Sequence, residues 1–181
     1  VDVDEAEMKK PTLSVDARVH ADLKDFFREL EAASYRPNPA HAKWVAWCKE
    51  RVKKYPAVLP QYWEGRENIN PYCFADALFK RLDENDWVVT GDGTACVVTF
   101  QAAALKKGQR LFTNSGCASM GFDIPAAIGA HFAGPPKKLV CIAGDGSIQM
   151  NLQDLQTIKS HGMAVKLFVL NNRGYHSIRQ T

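Results

Sequence analysis

The chain has 181 residues, with 23 basic and 20 acidic side chains, a formal net charge of +3 and 46% hydrophobic residues. Its length allows one domain with a real core and a piece of a second, and its composition excludes a disordered chain. Apart from pairs such as Lys106-Lys107 and Lys137-Lys138 the basic residues are scattered. They read as solvated faces, and no nucleic-acid partner is expected. Five cysteines stand at positions 48, 73, 96, 117 and 141, an odd number with no C-x-x-C. Neither a zinc site nor a disulfide framework is expected, and a reducing, cytoplasmic compartment is. No apolar run approaches a membrane-spanning length, so no membrane partner is expected. The start "VDVDEAEMKKPTL" is not a signal peptide and reads as a strand end entering a loop. The end "NNRGYHSIRQT" breaks off inside an apparent site. Both ends predict a fragment of a longer chain.

In chain order, "DARVHADLKDFFRELEAA" (16–33) carries Leu23, Phe26, Phe27 and Leu30 at helical spacing. "SYRPNP" breaks that pattern, and "AHAKWVAWCKERVKKY" predicts a second helix. "PAVLPQYWEGRENINP" holds three prolines without a clear period and reads as a linker. Asn70-Pro71 predicts an N-cap followed by proline at the first helical position, opening the helix "YCFADALFKRLDEN". After it the chain alternates. "DWVVTG" is a predicted strand, "ACVVTFQAAAL" and "FDIPAAIGAHFA" are helices, "KLVCIAG" is a strand, "IQMNLQDLQTIKSHG" a helix and "AVKLFVLNN" a strand. Near-continuous apolar strands alternating with helices predict an α/β fold, a parallel sheet covered by helices on both faces. Ligands of such sheets bind beyond the carboxyl ends of the strands. The turns Gly91–Thr94, Gly144–Ser147 and Asn171–Gly174 lie at or next to such positions.

Those turns carry the chemistry. Asp145 supplies a hard anionic oxygen and Asn172 a neutral one. The tight turn after Asn172 could aim a backbone carbonyl, that of Gly174, at the same point. Three such oxygens leave an octahedral Mg²⁺ with places for two phosphate oxygens and a water. Gly144 and Gly146 let the backbone approach a phosphate without a Cβ clash. Ser147 is expected to cap the helix beginning there, whose first N–H groups could donate to the phosphate. The plainer alternative is two ordinary strand–helix turns, with Asp145 as a cap. A dinucleotide site is disfavoured, because Gln149 stands where a third glycine is wanted and Asn171-Asn172 where a ribose-binding acid is wanted. The missing G-K-[ST] excludes a Walker-type loop.

"GDGSIQMN…NN" resembles the thiamin diphosphate motif of the acetolactate synthase and pyruvate decarboxylase superfamily. "NSGCASMGFDIPAAIGA" resembles that family's segment in which an apolar residue before a glycine wedges under the cofactor, and "VVTGDGTA" its turn holding the far phosphate. "VDVDEAEMKKPTLSVDARVHADLKDFFREL" resembles the end of the family's central domain. The likeness covers nearly the whole chain and is greatest to the acetolactate synthase type. It implies that residues 1–31 end a central domain, 32–69 form a helical linker and 70–181 form a cofactor- and Mg²⁺-binding domain truncated at its C-terminus.

The resemblance further implies that Asp145, Asn172 and the Gly174 carbonyl bind Mg²⁺. Gly146 and Ser147, with Gly93, Thr94 and Ala95 from the earlier turn, would touch the diphosphate. Gly144 and Tyr175 complete the expected cofactor-binding set. Met120 would hold the cofactor bent, and the Ala118 carbonyl would accept from its 4′-amino group. Plain gap-filling is the alternative for Met120. The family's activating glutamate belongs to an N-terminal domain outside this chain, so these residues alone would not form a complete active site. Biosynthetic acetolactate synthases line the substrate channel with Met and Trp, where Ser177 and Thr181 are expected here. Tyr175, His176 and Arg179 crowd the same region. His176 is expected either to act as an acid–base group or to face solvent, and Arg179 either to pair with a carboxylate or to be solvated.

The implied function is decarboxylation of a 2-oxo acid with carboligation, in a homodimer or homotetramer with active sites between subunits. A simple 2-oxo acid decarboxylase or lyase, or a non-catalytic cofactor-binding homologue, is the alternative. FAD in the central domain, as in some relatives, is left open.

Overall fold

The computed structural model describes all residues except Leu13, Arg66, Pro135, Pro136, Gln180 and Thr181, and of Ser177 the backbone alone. Two units are distinguished, Val1–Lys54 and Tyr55–Thr181. In the first, Asp2 and His20 form an isolated parallel bridge. Helix α1 (Glu5–Met8) is capped by Asp4, whose side chain accepts the Ala6 N–H. The helix expected over 16–33 is shorter. It is α2 (Leu23–Ala32), because Asp22 caps it by accepting the Lys24 N–H and so sets its start. Leu23, Phe27 and Leu30 share its apolar side and stay exposed. Helix α3 (His41–Lys54) stacks Trp44 on Trp47 at 5.0 Å, with the Arg51 guanidinium 5.3 Å from the Trp47 ring.

In the second unit, a 3-10 turn at Pro60–Trp63 interrupts the linker. Helix α4 (Pro71–Arg81) starts as its sequence demands: the Asn70 side chain accepts the Tyr72 N–H and Pro71 takes the first position, where no donor is missed. Then follow β1 (Trp87–Thr90), α5 (Thr94–Ala102), β2 (Arg110–Phe112), α6 (Asp123–Ala133) and β3 (Leu139–Gly144). The chain continues through α7 (Asp145–Ile148), a 3-10 turn at Gln149–Asn151, α8 (Asp154–Ser160), β4 (Val165–Leu170) and α9 (His176–Arg179). All strand pairs are parallel, in the order β2-β1-β3-β4.

Alternation along the strands divides the core into two layers. Val88, Val140 and Ile142 pack with Phe79 and Leu82 of the α4 region and with Ala95 of α5. Val89, Leu139 and Cys141 point to the other face and pack with Ala127 and Ala130 of α6. The sheet is therefore covered on both faces, as expected. Each fully buried Val or Ile contributes about 1.5–3 kcal/mol.

Two expectations are corrected here. Strand β2 was not expected, because three residues are too few to show a period of two. Its register of Val88 to Leu111 and Val89 to Phe112 nevertheless places Leu111 in one layer and Phe112 in the other. The single helix expected over 148–162 starts earlier, at Asp145, and is broken at Gln149–Asn151. At that break the Asn151 Nδ2 donates to the Gly121 carbonyl at 2.5 Å, tying the chain to a neighbouring segment.

Candidate functional site

The parallel arrangement brings the carboxyl ends of β1, β3 and β4 side by side. A cavity of about 440 Å³ opens there. From the turn after β1 it is lined by Gly93, Thr94 and Ala95, and from the turn after β3 by Gly144, Asp145, Gly146 and Ser147. The turn after β4 adds Asn172, Gly174, Tyr175 and His176, and Met120 closes the set. Of the residues expected at the site, Ala118 does not line the cavity. It occupies a turn two residues before Met120, with φ +51° and its N–H donating to the Asn114 carbonyl at 2.8 Å.

Asp145 ties two of these turns together. Its Oδ2 accepts the Gly174 N–H at 2.8 Å and its Oδ1 the Gly146 N–H at 3.0 Å. The adjacent asparagines differ. Asn171 Oδ1 accepts the Arg173 N–H at 3.0 Å and so builds the turn, while Asn172 Oδ1 is buried without a hydrogen-bond partner. A buried, desolvated acceptor is costly unless something fills it. The Gly174 carbonyl accepts the His176 N–H at 3.0 Å and keeps its second lone pair. Among the described residues no group of three or more His, Cys, Asp and Glu comes together. The donor set is thus one carboxylate with neutral oxygens, which suits a hard cation that takes its remaining ligands from phosphate and water.

Gly146 explains the close packing of the site. A Cβ there would run into the Tyr175 ring and lie 3.1 Å from Met120 Cε. Only a glycine lets the Met120 methyl and Tyr175 reach this turn. Helix α5 follows Gly93 with no side-chain cap, so its first N–H groups at Thr94 and Ala95 are available to an anion.

The capping role expected of Ser147 is not found. Helix α7 begins two residues earlier, at Asp145, with Gly144 as its N-cap and no side-chain cap bond. The Ser147 hydroxyl donates to Asp123 Oδ2 at 2.5 Å and accepts the Gly121 N–H at 2.7 Å. Arg179 is not among the cavity-lining residues. Its Nη2 donates to the Arg173 carbonyl, which braces the turn that carries Gly174. Thr181 and the side chain of Ser177, expected at the channel, lie outside the described residues.

Four further residues line the cavity: Asp92, Met150, Leu170 and Ile178. Met150 stands one helical turn after Gly146, a spacing that could have marked it. Ile178 carries no such signal, because its place depends on how α9 leaves the turn after β4. Behind the site, Cys141 of β3 is buried, and burial, helped by the nearby Asp123 charge, pushes its thiol up to about 12.

Residues 91–181 match the model of the family "Thiamine pyrophosphate enzyme, C-terminal TPP binding domain". The chain is 30% identical over 183 residues to the acetolactate synthase isozyme 1 large subunit of Escherichia coli (strain K12), covering 99% of this chain and 31% of that protein. It is 32% identical over 187 residues to the acetolactate synthase large subunit of Pyropia yezoensis, covering 99% of this chain and 30% of that one. It is 31% identical over 177 residues to the chloroplastic acetolactate synthase 1 of Zea mays, covering 96% and 27%. The chain therefore spans about 30% of the length of the relatives it matches.

Proposed function

Because the chain belongs to the thiamine pyrophosphate enzymes and carries their C-terminal TPP-binding domain over residues 91–181, we propose that it holds thiamin diphosphate and Mg²⁺ for a larger enzyme acting on 2-oxo acids. The similarity to acetolactate synthase large subunits makes decarboxylation with carboligation the favoured reaction. The observation that carries the reading is Asn172 Oδ1, a buried acceptor without a partner, in the cavity that also holds Asp145.

When bound, the cofactor supplies an electron sink for breaking and making a C–C bond beside a carbonyl. Asp145 and Asn172 would hold the metal, with the Gly174 carbonyl as the third protein oxygen. The N–H groups at Thr94, Ala95 and Ser147 would hold phosphate oxygens, joined by that of Gly146, which donates to Asp145 Oδ1 in the structure. Met120, half-buried with its methyl near Gly146, would press on the cofactor from the side. Ala118 is assigned its carbonyl role by family resemblance alone. His176 lines the cavity and is the chain's own candidate for moving a proton near the substrate. The wider protein would be a homodimer or homotetramer in a reducing, cytoplasmic compartment. In keeping with that, all five cysteines are free. No described helix is long and apolar enough to cross a membrane.

Titration calorimetry of the full-length protein tests the reading. Thiamin diphosphate should bind with Mg²⁺ present and fail to bind in EDTA or to Asp145→Ala. Equal affinity in EDTA would show that the metal bridge is wrong. Given binding, release of CO₂ from pyruvate without acetolactate would favour a simple decarboxylase.

A further inference from the structure

Resting on that reading of the cavity, we propose that Asp123 is a positioning residue: its buried carboxylate, acting through the Ser147 hydroxyl, locks the segment that carries Met120 onto the turn that carries Asp145.

Asp123 opens α6, where an acidic residue would ordinarily face solvent and favour the helix dipole. Here it is 0% exposed. A buried carboxyl group is costly unless its oxygens are satisfied. Oδ1 accepts the adjacent Ile124 N–H at 2.9 Å, a local bond. Oδ2 accepts from the Ser147 hydroxyl at 2.5 Å, and Ser147 belongs to the turn after β3. The same hydroxyl accepts the Gly121 N–H at 2.7 Å, which is the amide directly after Met120. The carbonyl of Gly121 is held in turn by Asn151 Nδ2. Both polar groups of Gly121 are therefore held by the chain that follows β3.

The third contact is steric. A Cβ on Gly91 would collide with Oδ2 of Asp123, so the turn after β1 packs directly against the carboxylate. One buried group thus touches the turns after β1 and β3 and, through the Ser147 hydroxyl, holds Gly121 just ahead of its own helix. Met120 Cε already lies 3.1 Å from the Cβ position of Gly146. A slack Asp123–Ser147–Gly121 chain would change that separation, and with it the width of the cleft between the Met120 side chain and the phosphate-binding N–H groups. A purely structural carboxylate would affect folding; a positioning one changes how the cofactor is held.

The experiment uses the full-length protein with Asp123→Ala, Asp123→Asn and Ser147→Ala. The readouts are the thiamin diphosphate dissociation constant at saturating Mg²⁺, the near-UV circular dichroism of the bound cofactor, and the melting temperature without cofactor. Asp123→Ala and Ser147→Ala should each weaken binding about tenfold or more and alter the cofactor dichroism, since the loss of an anchored hydrogen bond is read directly in affinity. Asp123→Asn keeps the shape and one hydrogen bond to Ser147, and should stay within about threefold of the parent. If Asp123→Ala does not fold, Ser147→Ala decides alone, because it removes one oxygen and leaves the carboxylate in place. Parental affinity and dichroism in both alanine variants would overturn the proposal. So would a loss in Asp123→Asn as large as in Asp123→Ala, or a loss that vanishes when affinity is referred to the folded fraction. Failure of the parent protein to bind the cofactor would instead overturn the reading of the cavity, and the latch with it.

Discussion

Asn171 Oδ1 accepts the Arg173 N–H, whereas its neighbour Asn172 keeps a buried Oδ1 unpartnered. The contrast predicts opposite outcomes for two similar substitutions. Asn172→Ala removes a desolvated acceptor that costs about 1–3 kcal/mol when unfilled, so the melting temperature without ligand should hold or rise. Its metal-dependent cofactor affinity should fall about tenfold or more. Asn171→Ala removes a bond that shapes the turn, so it should lower the melting temperature without ligand. Thermal unfolding of the two variants without ligand checks this. A drop for Asn172→Ala equal to that of Asn171→Ala would show that both serve only the turn.

At the scale of elements, the loop entering β1 is joined to the loop entering β3 by charge. Lys138 Nζ lies 2.6 Å from Asp83 Oδ2, and Lys137 lies 3.5 Å from the same oxygen. The hydrogen bond and charge of Lys138, then the charge of Lys137, hold the Asp83 carboxyl below its ordinary value, and Asp83 in turn raises Lys138. A lowered carboxyl pKa stabilises the fold above the unfolded value of about 3.9 and loses this as pH falls through the folded pKa. A raised lysine pKa stabilises below about 10.4 and loses this as pH rises through the folded pKa. The melting difference between parent and Asp83→Asn should therefore be flat around neutrality and shrink at both extremes. Because the pair is exposed, the difference should be small and fall with salt. A difference that grows on acidification would contradict the assignment.

The cysteines test packing within the elements. Cys73 of α4 and Cys141 of β3 are buried with raised thiol pKa values, whereas Cys117 is exposed. The raised pKa of Cys141 keeps its thiol protonated near neutrality, and the thiolate is the reactive form. Iodoacetamide on the native protein, followed by mass spectrometry, should label Cys117 and leave Cys73 and Cys141 unlabelled until denaturant is added.

For the whole molecule, the two units differ in what they bury. No described residue of Val1–Lys54 is buried, and every core residue belongs to Tyr55–Thr181. The ordering entropy of roughly 1–2 kcal/mol per residue has no matching apolar burial in the first unit. A peptide of residues 1–54 should accordingly show no cooperative transition in scanning calorimetry, while residues 55–181 should show one. A sharp transition in the short peptide would mean that α2 and α3 find a core of their own.

The strand–helix alternation, the Asn70-Pro71 helix start and the three strand-end turns were legible in the sequence. Each rests on a local rule: apolar runs make buried strands, a capping side chain starts a helix, and glycines permit close approach. What is written over a few neighbouring residues survives folding because neighbours are always near. Strand β2 was hidden because its three residues gain their place only from pairing with β1. The Ser147 hydroxyl was misassigned because its partners, Asp123 and Gly121, are distant in sequence and reach it only when α6 packs beside β3. Ile178 turned to the cavity for a similar reason, whereas Arg179 reaches the Arg173 carbonyl, six residues back, through the local bend between β4 and α9. The sequence by itself determined which residue types stand at the strand ends. Only the tertiary structure decided which of their atoms are already satisfied, because hydrogen-bond partners are chosen by proximity in space.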